Sequence, residues 1–182
     1  MTQNQFESCV IMGLGYIGLP TSVVVARAGI DVIGVDVNER TVSAISAGRC
    51  PIEEPGLPEA IAEFVAGGRI VAQAQPRPAD VFVIAVPTPF TGGYKPDLSY
   101  VEAATRAIAP ALRKGNLVMV ESTIPVGATE QVARWIETLR RDLKCAQRNG
   151  PEEALSHKNV SVVEGLRLPS FKRPLSWHPT CP

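Results

Sequence analysis

Apolar runs of strand length alternate with amphipathic stretches of helix length through the first 144 residues of the chain. Residues 9–12 form a continuous apolar run ended by glycine, the pattern of a strand covered on both faces. Residues 17–28 are apolar round most of a helical surface, which suits a helix beneath a sheet. Gly29 follows where a left-handed residue closes such a helix. A second strand is expected over 32–35. Asn38 is then the N-cap of a helix through Ala47, with Gly48 as its stop. A helix over 58–66 starts on Pro58 and turns Ile61, Phe64 and Val65 to one side. Strands follow over 69–72 and 80–86, the latter continuous and β-branched.

Ser99 and Glu102 have the spacing of a capping box for a helix running to about Leu112, closed by Gly115. Its buried stripe is Val101, Ala104, Ile108 and Leu112. Residues 117–120 read as another buried strand. A last helix is expected over 129–143, with Val132, Trp135, Ile136, Leu139 and Leu143 on one side. Glu130 near its start and Arg140, Arg141 and Lys144 near its end suit the helix dipole. This alternation predicts an α/β fold, a Rossmann-like doubly wound parallel sheet with helices on both faces. The domain is expected to occupy residues 1–144. Residues 145–182 break the pattern, with five prolines, both histidines and two of the four cysteines, and 159–163 as their only strand candidate. They are expected to form an atypical, poorly ordered tail.

Composition narrows the partners. Hydrophobic residues make up 45% and charged residues 20%, with 18 basic and 18 acidic side chains. Such a balance argues against nucleic acid or a membrane surface and points to a small-molecule partner. The first residues lack the pattern of a signal peptide, and apolar runs such as 81–86 are too short to span a bilayer. Cys9, Cys50, Cys145 and Cys181 have neither C-x-x-C nor metal-ligand spacing, so reduced thiols, a cytoplasmic chain and no metal are expected. Nothing here sets the oligomeric state, a homo-oligomer included.

The chemistry lies in three loops. Gly13-Leu14-Gly15-Tyr16-Ile17-Gly18 is G-x-G-x-x-G between a strand and a helix. Gly13 permits the turn, Gly15 lets backbone approach a pyrophosphate, and Gly18 lets the helix pack close. The phosphates then face helix N–H groups and the positive end of the dipole. Asp36 ends the next strand, 18 residues beyond Gly18, where a carboxylate accepts ribose hydroxyls and repels a 2′-phosphate. That selects NAD over NADP, although Arg40 nearby is the type of residue that holds such a phosphate. Pro87-Thr88-Pro89 follows the 80–86 strand and leaves the Thr88 hydroxyl on a stiff loop. Glu121-Ser122-Thr123-Ile124-Pro125-Val126-Gly127 follows the 117–120 strand, and its Ser122 and Thr123 hydroxyls are expected near the ribose or nicotinamide side of the cofactor.

Taken together these segments resemble the UDP-glucose/GDP-mannose dehydrogenase family in its amino-terminal NAD domain. The matching pieces are the glycine loop through Leu19-Pro20, Gly34-Val35-Asp36-Val37-Asn38 and Ile52-Glu53-Glu54-Pro55-Gly56-Leu57. Val86-Pro87-Thr88-Pro89, Pro96-Asp97-Leu98-Ser99-Tyr100-Val101 and the Glu121–Gly127 segment follow in order, over about residues 8–143. Ala85-Val86-Pro87-Thr88-Pro89-Phe90 is most similar to the UDP-N-acetylmannosamine dehydrogenase branch. The resemblance implies oxidation of the sugar-nucleotide C6 alcohol to a carboxylate with two NAD, through a cysteine-bound thiohemiacetal and thioester. It implies NAD contacts from Tyr16, Ile17, Asp36, Thr88 and Thr123. The chain departs from it at Thr41, where the family often has a basic residue and this chain has Arg40 one place earlier.

A larger departure concerns catalysis. The family's glutamate, lysine, asparagine, nucleophilic cysteine and aspartate lie further along than these motifs. Cys145, Cys181, His157 and His178 match none of them. The chain is therefore expected to be a truncated cofactor half, inactive alone and with no catalytic residues of its own, its tail the product of a frameshift or early stop. Two other readings stay open. A non-catalytic NAD-binding regulatory module needs only the glycine loop and Asp36. A β-hydroxyacid dehydrogenase has a similar cofactor domain, but Glu54-Pro55-Gly56-Leu57 and Pro96-Asp97-Leu98 speak against it.

Overall fold

A computed structural model describes residues 6–91, 95–147 and 160–164. The elements in chain order are β1 (Ser8–Met12), α1 (Gly18–Arg27), β2 (Asp31–Val35), α2 (Glu39–Ser46), α3 (Leu57–Ala66), β3 (Ile70–Gln73) and β4 (Val81–Ile84). A two-stranded ribbon, β5 (Phe90–Thr91) and β6 (Lys95–Pro96), leads to α4 (Ser99–Ile108), then β7 (Leu117–Val120), α5 (Ala128–Leu139), β8 (Cys145–Gln147) and β9 (Val160–Glu164). Seven strands form one sheet in the order β3-β2-β1-β4-β7-β9-β8, every neighbouring pair parallel.

The alternation of side chains along each strand divides the core into two layers. Val10, Met12, Phe82, Ile84, Val118 and Val120 face α4 and α5, where Val101, Ile108, Val132 and Ile136 are buried against them. Cys9, Ile11, Val81, Val83 and Met119 face the other way, against Leu19 and Val23 of α1 and Leu57 and Ile61 of α3. Both faces of the central strands are therefore covered, which is why they read as continuous apolar runs. The expected punctuation holds at the ends of α1 and α2. Gly29 and Gly48 take φ of 84° and 70°, and the Asn38 side chain accepts the Arg40 N–H at 3.0 Å.

Three expectations are corrected. The sheet does not stop at Lys144: β8 pairs with β9, and β9 pairs with β7 in the register Val118↔Val162, so the domain reaches at least Glu164. The 159–163 candidate is a strand, while Cys145–Gln147 is too short to show any periodicity. The remaining tail residues, Cys181, His157 and His178 among them, lie outside the described residues. The Ser99 capping box does not form, because Ser99 is already helical and Leu98 holds the N-cap position. Asp97 accepts the Ser99 N–H instead at 2.8 Å, and Glu102 pairs with Arg106. Pro110, which has no N–H to give, accompanies the change from α4 to a 3₁₀ turn over Ala109–Ala111.

The third correction is at α5, which ends at Leu139 rather than Leu143, leaving Leu139 exposed and Leu143 buried. Arg140 leaves the helical conformation to reach across to α4. Its Nη1 donates to the carbonyls of Ala109 and Leu112, each at 2.8 Å, while Nε and Nη2 grip Asp142. This guanidinium supplies a donor to the Leu112 carbonyl and a second one to the Ala109 carbonyl, which also accepts the Leu112 N–H at 3.3 Å. Replacing Arg140 by Ala is expected to cost about 1–2 kcal/mol, and Arg140→Lys to recover only part of it, as read from urea unfolding midpoints. Unchanged midpoints for both variants would show that the clasp contributes nothing.

Candidate functional site

In an open parallel sheet the ligand cleft lies outside the carboxyl ends of the strands, where the chain order reverses. Here the reversal falls between β1 and β4, with β2 on one side and β7 on the other. The glycine loop, Asp36, the loop after β4 and the loop after β7 all lie at this edge.

The glycine loop is built around missing side chains. Gly13 has φ of 95°, donates to the Val35 carbonyl at 2.7 Å, and would place a Cβ 2.7 Å from the Ala85 oxygen. At Gly18 a Cβ would come within 1.8 Å of the Gly13 oxygen, so only glycine lets α1 begin so close to the turn. Around Gly15 the position of a Cβ is clear of atoms to 4 Å. This open side is the cradle a pyrophosphate needs. No side chain caps the N-terminus of α1 and no acid stands in its first turn, so its dipole and N–H groups suit an anion. Tyr16 and Ile17 are exposed on the same loop.

Asp36 is held rather than merely nearby. Its Oδ2 accepts the Leu14 N–H at 2.9 Å and its Oδ1 accepts the Asn38 N–H at 2.8 Å. Each oxygen retains acceptor capacity for a hydroxyl. The Leu14 side chain is buried above Gly34, where a Cβ would lie 2.8 Å from its Cδ2. Arg40 is exposed in the first turn of α2. Pro87, Thr88 and Pro89 follow β4, and Ser122 and Thr123 follow β7. The structure brings these two loops together: Thr88 Oγ1 donates to the Thr123 carbonyl at 2.8 Å, and Ser122 Oγ to the Val86 carbonyl at 2.7 Å. The Ser122 and Thr88 hydroxyl hydrogens are thus spent on the protein. Glycine cradle, uncapped helix and ribose-type carboxylate fit a dinucleotide. Among the described residues no cluster of three metal-ligating side chains occurs.

Glu121 has chemistry that sequence reasoning passed over. It follows β7 directly, and its Oε2 is buried with no hydrogen-bond partner. Burial raises its carboxyl above the ordinary glutamate range, and the Thr21 hydroxyl beside it offsets part of that. The available signal was an acidic residue immediately after a wholly apolar strand. On the same layer, burial and then the negative charge of Glu121 and Asp80 push the Cys9 thiol up to about 12. Cys9 therefore stays a thiol, inert at neutral pH.

Because the folded state holds the Glu121 proton more tightly than the unfolded state, stability is expected to fall as pH rises from the unfolded value through the raised one. Glu121→Gln removes that loss. The variant should melt a few degrees higher than wild type at pH 7, with the gap closing near pH 4. A gap independent of pH in thermal melts would refute the assignment.

Comparisons with known proteins identify the family. The UDP-glucose/GDP-mannose dehydrogenase family, NAD binding domain, matches residues 7–163. An NDP-N-acetyl-D-galactosaminuronic acid dehydrogenase of Ralstonia nicotianae is 50% identical over 162 residues, which are 88% of this chain and 38% of that protein. A UDP-N-acetyl-D-mannosamine dehydrogenase of Yersinia pestis is 50% identical over 145 residues, 80% of this chain and 34% of that protein. Among solved structures, the UDP-N-acetyl-mannosamine dehydrogenase of Staphylococcus aureus superposes with a TM-score of 0.70 at 43% identity, over 73% of this chain and 33% of that one. The chain thus spans about a third of the length of the relatives it matches. It belongs to the UDP-glucose/GDP-mannose dehydrogenase family and carries that family's NAD-binding domain.

Proposed function

We propose that this chain is the cofactor half of an NAD-dependent nucleotide-sugar 6-dehydrogenase, with UDP-N-acetylmannosamine oxidised at C6 to UDP-N-acetylmannosaminuronate. The observation that carries the reading is the Asp36 carboxylate bonded to the Leu14 N–H beside the open face of Gly15. Such a pair places a ribose acceptor next to a phosphate cradle. In this reading Gly13, Gly15 and Gly18 shape the pyrophosphate site, Tyr16 and Ile17 flank it, and Asp36 takes the adenosine ribose. Pro87, Thr88, Pro89, Ser122 and Thr123 border the nicotinamide side. NAD supplies the hydride acceptor. The relatives' names favour an N-acetylated hexosamine, and the Ralstonia protein, equally similar, makes the galacto-configured sugar the second reading. Among the described residues no helix is long and apolar enough to cross a membrane; a cytoplasmic location is part of the proposal.

Asp36 is the determinant of cofactor choice in this proposal. Titration calorimetry should show NAD bound more tightly than NADP. Asp36→Ala should weaken NAD by about 2 kcal/mol, the scale of a charge-assisted hydrogen bond. Tighter binding of NADP by the wild-type chain would transfer the role to Arg40.

The 182-residue polypeptide is expected to turn over no sugar nucleotide. Carrying an alcohol to a carboxylate needs a base and a nucleophile as well as a hydride acceptor. Among the described residues no cysteine stands at the cleft to act as the nucleophile, and the Glu121 carboxyl there has none beside it. Cys9 is the second residue of β1 and Cys145 opens β8, both at the sheet edge opposite the cofactor loops, and burial raises Cys145 to about 11. The Cys50 thiol donates to the Ile52 carbonyl within its own loop. Incubation with NAD and UDP-N-acetylmannosamine should give no absorbance at the NADH band above the buffer rate. Steady turnover lost on Cys145→Ser would overturn this.

A further inference from the structure

Equal numbers of acidic and basic residues do not make an even spread of charge. Arg113 and Lys114 follow the 3₁₀ turn after α4, and Arg141 and Lys144 lie between α5 and β8, all four exposed. Arg140 ties these two segments together through the Ala109 and Leu112 carbonyls. The acids nearby are engaged, Asp142 by the Arg140 guanidinium and Glu137 by the Cys145 N–H. A basic pole results, just before the amino ends of β7 and β8. Acidic residues gather elsewhere. Glu53 and Glu54 precede α3, while Glu59 and Glu63 stand one turn apart on its outer side, all four exposed. Among the described residues none of these eight side chains has an ion pair.

The fold keeps the two groups apart. Helix α3 packs on α1 and β3 at one end of the sheet, whereas α5 packs on β8 and β9 at the other. Strand β3 lies four strand spacings from β7 and six from β8, roughly 20–30 Å. Charges that far apart are screened from each other, since the Debye length is about 10 Å at 0.1 M salt. They do not neutralise one another within one molecule. Set at opposite ends of the sheet and led out of helices on opposite faces, they do not both meet one partner, which leaves head-to-tail pairing. We propose that the basic pole of one molecule docks on the acidic outer side of α3 in a second copy, a heterologous and salt-sensitive self-association. Charge complementarity selects the copy, because each chain carries both halves of the contact. One patch of each kind stays free at the ends, so the contact repeats instead of closing. Exposed charges of this type speed encounter more than they tighten it.

Sedimentation velocity of the 182-residue chain is the test. At about 0.01 M salt, where charges reach about 30 Å, the weight-average sedimentation coefficient should rise with protein concentration and pass the dimer value. At about 1 M salt, where they reach about 3 Å, it should stay at the monomer value. R113E/K114E and E59K/E63K, with melts like wild type by circular dichroism, should each be monomeric at low salt. The first keeps its acidic side and the second its basic pole. Their equimolar mixture should therefore associate again and stop at pairs, a recovery that damaged folds would not give. The proposal is overturned if wild type is monomeric at low salt, if its association survives high salt, if either variant still associates, or if the mixture stays monomeric. Capture of a monomeric wild type by phosphatidylglycerol vesicles, lost in R113E/K114E, would overturn it too and hand the basic pole to a lipid surface.

Discussion

Less than the width of a methyl group separates Gly18 from the Gly13 carbonyl, and the arrangement of the whole carboxyl edge depends on that closeness. Helix α1 enters the sheet layer directly under the turn, so its N-terminus stands in line with β1. From there its inner side chains, Leu19 and Val23, set the spacing of the layer shared with α3. A side chain at Gly18 would push α1 outward, and one at Gly13 would strike the Ala85 carbonyl just beyond β4. The cradle at Gly15 would then lose its register with Asp36, whose carboxylate is bonded to the same loop.

Asp36 extends this coupling across strands. A ribose-binding carboxylate on a free rotamer would have to be ordered by the ligand, at a cost in side-chain entropy. Here two backbone N–H groups, one from the glycine loop and one from the loop after β2, hold it before any ligand arrives. The loops after β4 and β7 follow the same principle with neutral groups, their hydroxyls answering carbonyls of the opposite loop. Both halves of the edge are ordered by internal hydrogen bonds.

How much of this was legible beforehand follows from how local each signal is. The glycine loop, Asp36 and the apolar strands are written in adjacent residues, and they stand where the sequence pattern put them. The end of α5 is not local, because Arg140 abandons the helix for carbonyls of Ala109 and Leu112, about thirty residues earlier in the chain. At α4 two acceptors competed for one N-terminus, and Asp97 rather than Ser99 lies at the distance that closes the turn. Strand β8 has three residues, too few for any periodicity. The direction in which Thr88 and Ser122 point their hydrogens is a tertiary fact that no spacing reveals.

The order β7-β9-β8 has a consequence for the birth of the protein. Strand β8 emerges from the ribosome before β9, yet among the described residues its only neighbour in the sheet is β9. It must wait unpaired at what will become the rim. Meanwhile β7 keeps one edge bare until Glu164, 44 positions beyond Val120, has left the tunnel. Of the described strands, the last made is an inner one. Closure of the sheet is thus an insertion rather than an addition, and the nascent chain passes through an interval in which an apolar strand edge is open to any passing partner.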